Sequence, residues 1–104
     1  MTTVADMPLE TILAKLRERS DALQREGVAK LYLFGSRARG DARPDSDLDV
    51  LVEVAPDARF SLLDLIGVEH IIEDATGLNA QATMRRSIPT AFAERIADNI
   101  VEVF

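Results

Sequence analysis

The chain has 104 residues, 47% of them hydrophobic and 29% charged, which fits one globular domain over residues 1–104. Its net charge of −6 makes direct nucleic-acid binding unexpected, and the lack of cysteine excludes disulfides and thiolate-bound zinc. "MTTVADMPLE" lacks the basic start and apolar run of a signal peptide, and no apolar stretch approaches the roughly 20 residues of a membrane span, so the expected location is cytoplasmic.

Pro8 opens a helical pattern in which Leu9, Ile12, Leu13, Leu16 and Leu23 fall on one stripe, and Gly27 stands where a helix stops. "VAKLYLF" (Val28 to Phe34) reads as a buried strand ending at Gly35-Ser36, and "RARG" leaves room for about one helical turn. "ARPD" is a turn signal. In "DLDVLVEV", Leu48, Val50, Val52 and Val54 point to one face, and Asp47, Asp49, Leu51 and Glu53 to the other.

A helix is expected over Phe60–Thr76, with Leu62, Leu65, Ile66, Val68, Ile72 and Ala75 on its apolar stripe and Gly77 closing it. "LNAQAT" reads as a short strand with Asn79, Gln81 and Thr83 on one face. Ser87 is a candidate cap for a last helix with Pro89 in its first turn, where Ile88, Phe92, Ile96 and Ile100 recur every four residues. "IVEVF" finishes as helix or edge strand. This order predicts an α/β domain with a small mixed β-sheet and helices packed on one face.

Asp47 and Asp49 stand two apart on a strand, so both carboxylates leave the same face. Side by side, two such anions repel unless a cation sits between them. Hard divalent ions, Mg²⁺ above all, answer this need and take their remaining ligands from water and substrate phosphates. The phosphate side is one strand earlier. Gly35 lets the backbone turn close to a ligand, Ser36 offers a hydroxyl at a helix start, and Arg37, Arg39 and Arg43 supply charge for phosphate oxygens. Alone, either half is a common surface pattern. Together, on consecutive strands, they are specific.

Gly35-Ser36, ten residues, then Asp47-x-Asp49 resembles the signature of the nucleotidyltransferase fold of the DNA polymerase beta superfamily. The string "FGSRARGDARPDSDLDVLV" looks like its minimal, single-domain branch, the MNT proteins, commonly encoded beside a HEPN-domain toxin that they counter as antitoxins. "LYLFGS", the Phe60–Thr76 helix and "RIADNIVEVF" extend the resemblance over essentially the whole chain. It implies that Gly35 and Ser36 hold nucleotide phosphates, that Asp47 and Asp49 bind Mg²⁺, and that the open sheet face is the active site. The implied reaction transfers AMP from ATP to a protein hydroxyl, a tyrosine of the HEPN partner. The family carries a third metal-binding aspartate on the next strand. Counting from Gly77 puts Gln81 there, on the same face as Asp47 and Asp49 by strand parity. Gln81 is a neutral amide that cannot take a proton from an attacking hydroxyl.

The other polar residues carry plainer expectations. The single histidine, His70, reads as a half-exposed helix residue, and Tyr32 as core packing beside the site. Glu53 is expected as an exposed strand charge, and Glu69, Glu73 and Asp74 as a solvated helix face. Arg85 and Arg86 are either surface charges or a further phosphate grip. Two functions follow: an enzyme, or a binding module that has lost its full catalytic set at Gln81 and neutralises a basic toxin by forming a complex.

Overall fold

The computed structural model describes residues 7–104, so the first six positions of the stretch read for a leader lie outside the described residues. The alternating run around Asp49 becomes strand β2 (Leu48–Glu53) at the centre of the sheet. Leu48, Val50 and Val52 are fully buried on one face. β1 (Lys30–Phe34) pairs antiparallel with it, Phe34 facing Asp49, and β3 (Ala80–Met84) pairs parallel, Gln81 facing Asp49. The C-terminal segment resolves as an edge strand, β4 (Val101–Glu102), antiparallel to β1. The order β3-β2-β1-β4 makes the expected mixed sheet.

The first helical pattern is two helices, α1 (Leu9–Arg17) and α2 (Ser20–Arg25), with a break at Arg19, which pairs with Asp74 at 3.2 Å. Ile12 and Leu16 from the first and Leu23 from the second all enter the core beside Leu31, Leu33, Val68 and Ile72. Burying each such side chain contributes about 1.5–3 kcal/mol.

α4 spans Leu62–Thr76, two residues shorter than expected at its start because Ser61 caps it. The Asp64 N–H donates to Ser61 Oγ at 3.3 Å and the Ser61 N–H donates to Asp64 Oδ2 at 2.8 Å, a reciprocal capping box. Ser61→Ala should cost about 1 kcal/mol, read as a lower urea midpoint at unchanged slope. At the other end Thr76 Oγ1 donates to the Ile72 carbonyl and accepts from the Leu78 N–H before Gly77 turns the chain.

The expected apolar stripe of α4 is only partly the buried one. Val68, Ile72 and Thr76 face the sheet with Leu65 and Ala75, whereas Leu62 is 72% exposed and Ile66 also faces outward. At 100° per residue those two lie on the adjoining face. Glu69 and Glu73 are not simply solvated either. Their carboxylates accept the outward N–H groups of Ala82 (2.8 Å) and Ala80 (3.0 Å), covering donors that edge strand β3 would otherwise leave open.

α1, α2 and α4 lie on the face expected for helices, and the second face is only half open. Leu51, read as facing outward with the aspartates, is 1% exposed. It lies under α5 (Thr90–Ile96), where Ile88, Ala93, Ile96 and Ile100 line a small cavity against it. Phe92 meets Phe34 edge-on with ring centroids 5.8 Å apart. Ser87 does not cap this helix. It ends a 3₁₀ turn, Arg85–Ser87, and Pro89 takes the cap position. Among the described residues no helix is long and apolar enough to cross a membrane.

Candidate functional site

The end of β1 and the beginning of β2 meet at Gly35. The chain turns there with φ +76°, and a Cβ added at this position would run into Asp49 Oδ2. Only glycine allows this backbone conformation and this approach together. The turn leads into α3 (Gly35–Arg39), with Ser36 in its first turn and Gly40 closing it at φ +86°. The first N–H groups of a helix have no partner within it, so this turn presents donors beside the Asp49 carboxylate.

The three arginines separate. Arg37, expected to grip phosphate, is 5% exposed, and its guanidinium donates to the carbonyls of Ser46 (2.9 Å), Arg43 (3.4 Å) and Pro44 (3.5 Å). It ties the β1–β2 loop to α3 and so fixes the residues that lead into Asp47. Arg39 is exposed, pairs with Asp41 at 3.3 Å, and has its charge felt at Asp49. Arg43 is exposed, and its backbone N–H donates to Ser46 Oγ at 2.9 Å.

Asp47 enters β2, Asp49 lies within it, and Gln81 is the register partner of Asp49 on β3. The expected position of Gln81 follows from this register. Its Nε2 donates to Asp47 Oδ2 at 3.1 Å. Burial, and then the charge of Asp47, hold the Asp49 carboxyl above its ordinary range, with Arg39 pulling the other way. A donor set of two crowded carboxylates and an amide oxygen fits a divalent cation that completes its shell with water and phosphate oxygens. No group of three or more His, Cys, Asp or Glu side chains is placed to hold a metal among the described residues.

The shift at Asp49 has a sign for stability. Its native pKa lies above the unfolded value, so Asp49 weakens the fold as pH rises past about 3.8 and through the native pKa. Asp49→Asn is therefore expected to raise the melting temperature of the cation-free protein at pH 7. The gain should shrink at pH 4, and a lower melting temperature at neutral pH would overturn it.

Remaining polar residues point elsewhere. Arg85 stacks over Tyr32, 4.8 Å from the ring centroid, and pairs with Glu53 at 3.7 Å, so neither arginine nor glutamate joins the aspartates. Arg86 donates to the Ala58 carbonyl at 3.4 Å, and His70 is exposed on α4. A cleft beside Asp47, lined by Pro44, Asp45, Ser46, Gly77, Leu78 and Asn79, had no signal in the sequence, because two distant turns form it.

A glycine-serine turn into a short helix, beside paired strand carboxylates in a mixed sheet, defines the nucleotidyltransferase class. Residues 10–103 match the Nucleotidyltransferase domain, and the chain belongs to this family. It is 33% identical over 95 residues to the Protein adenylyltransferase MntA of Thermococcus cleftensis, covering 91% of this chain and 92% of that protein. A solved minimal nucleotidyltransferase superposes with a TM-score of 0.76 and 30% identity, over 91% of this chain and 95% of the other. The tri-AMPylated Shewanella oneidensis HEPN toxin in complex with MNT antitoxin matches with a TM-score of 0.61 and 16% identity, over 88% and 71% of the two chains. That last likeness shows the fold alone.

Proposed function

We propose that this chain is a protein adenylyltransferase that moves AMP from ATP to a protein hydroxyl, the tyrosine of a HEPN-domain toxin, and so acts as its antitoxin. The observation that carries this reading is the approach of Gly35 to Asp49, which sets the glycine-serine turn and its open helix-start N–H groups against a carboxylate; that is what supports a phosphate beside a cation here. Its family membership and its relation to a named adenylyltransferase support the AMP donor.

Asp47 and Asp49 hold Mg²⁺ in this reading, and the cation when bound neutralises phosphate charge during transfer. Ser36 Oγ and the first-turn N–H groups of α3 bind and orient the triphosphate, and exposed Arg39 adds a positive charge. The acceptor oxygen forms a bond to the α-phosphorus as the bond to the β-phosphate bridge breaks. Pyrophosphate leaves, and the hydroxyl proton is released.

Asp47→Asn, Asp49→Asn should abolish Mn²⁺-dependent triphosphate binding in calorimetry, and Ser36→Ala should weaken it by about 1 kcal/mol or more. Undiminished affinity in the double variant would remove the carboxylates from the site. Labelled ATP, Mg²⁺ and the co-expressed HEPN protein test transfer itself. A second reading, neutralisation by complex formation without transfer, is favoured by the neutral Gln81. A co-eluting complex that stays unlabelled would select it.

A further inference from the structure

We propose that the site holds a single divalent cation, and that Gln81 takes the place of a second by donating to Asp47. The inference rests on the nucleotidyl-transfer reading above. It deepens that reading by setting the charge of the site.

The ligand inventory comes first. Asp47 and Asp49 are the two carboxylates on this part of the face, and the residue opposite Asp49 on β3 is an amide. A carboxylate only accepts hydrogen bonds, so the amide must turn its NH₂ end toward Asp47, as it does at 3.1 Å. That bond occupies a lone pair on Oδ2, one of the few oxygens a second cation would need. The other end of the carboxamide, Oε1, is neutral.

Two cations a few ångströms apart need carboxylates that bridge them and further anions to offset their mutual repulsion. Two carboxylates suffice for one Mg²⁺, which binds through one or two of them plus phosphate oxygens. Neighbouring acids do not make up the difference: Asp45 lines the cleft beside Asp47, but no third such side chain joins the pair in a group placed to hold a metal among the described residues. Glu53 faces Arg85, Glu69 and Glu73 are bonded to the β3 backbone, and Asp41 is paired with Arg39. Gln81 is thus a positioning residue. It holds the Asp47 carboxylate by a neutral donor and keeps the site's charge at that of two acids. Activation of the acceptor hydroxyl then falls to protein groups, this chain's or the partner's.

The test counts cations rather than turnover. The full chain with a non-hydrolysable α,β-methylene ATP analogue is titrated with Mn²⁺, and bound ions are counted by electron paramagnetic resonance. One Mn²⁺ per chain is expected, with no second ion up to tenfold beyond the concentration that fills the first. Gln81→Asp should bind two, with a spin-coupled signal, and Gln81→Glu is the second variant, supplying the third carboxylate at native side-chain length. Gln81 is exposed, so these variants leave the core untouched. Two ions on the wild type would overturn the proposal, as would a single ion on both carboxylate variants. Loss of all nucleotide-dependent Mn²⁺ binding would overturn the nucleotidyl-transfer reading itself, and this count with it.

Discussion

Gly35→Ala is expected to abolish measurable triphosphate binding and to destabilise the fold by about 2 kcal/mol, the scale of a residue held in a sparsely populated conformation. Two costs coincide. The backbone stands at φ +76°, and the new methyl would meet Asp49 Oδ2, so either the turn or the carboxylate must move. Either shift separates the donors proposed for phosphate from the carboxylates proposed for the cation. Gly40→Ala is the control, because its φ of +86° brings the same backbone strain but nothing lies within 4 Å of its added Cβ. It should lose about 1 kcal/mol of stability and retain nucleotide affinity. Calorimetry and urea unfolding on both variants check this, and equal affinities would show that the Gly35–Asp49 approach is dispensable.

The second large effect is at Arg37. Arg37→Met keeps most of the apolar stem but removes the donors to Ser46, Arg43 and Pro44, at a cost of about 3 kcal/mol. Since Ser46 precedes Asp47, affinity for the metal–nucleotide should fall as well, although Arg37 itself touches neither. Lysine is not a substitute, because a single ammonium does not reproduce the planar fork. Arg39→Met removes an exposed ion pair and should change stability by less than about 1 kcal/mol. A larger loss at Arg39 than at Arg37, read from urea midpoints, would reverse the assigned roles.

These two arginines show where a linear reading stops. In "GSRARG" they are two residues apart and chemically identical, so charge alone assigns both to phosphate. The loop that folds back over Arg37 buries one and leaves the other beside Asp41 and Asp49. Leu51 fails in the opposite direction. Its place in the alternation puts it on the acid-bearing face, as observed, but the covering by α5 arises from a helix some forty residues later.

The sequence by itself determined the first three strands, the pairing of Asp47 with Asp49, the turn at Gly35 and the family, because each rests on local spacing or a period of two; the last segment stayed open between helix and edge strand until the structure paired it with β1. It also put Gln81 on the same face as Asp47 and Asp49, as the register opposite Asp49 has it, since strand parity is a property of the chain. Only the tertiary structure decided what those side chains touch. It turned Gln81 toward Asp47, set Gly35 against Asp49, and gave Glu69 and Glu73 to the edge of β3. Hydrogen bonds and close contacts between residues tens of positions apart depend on how the sheet and its helices pack, and a linear pattern carries no distance across that packing.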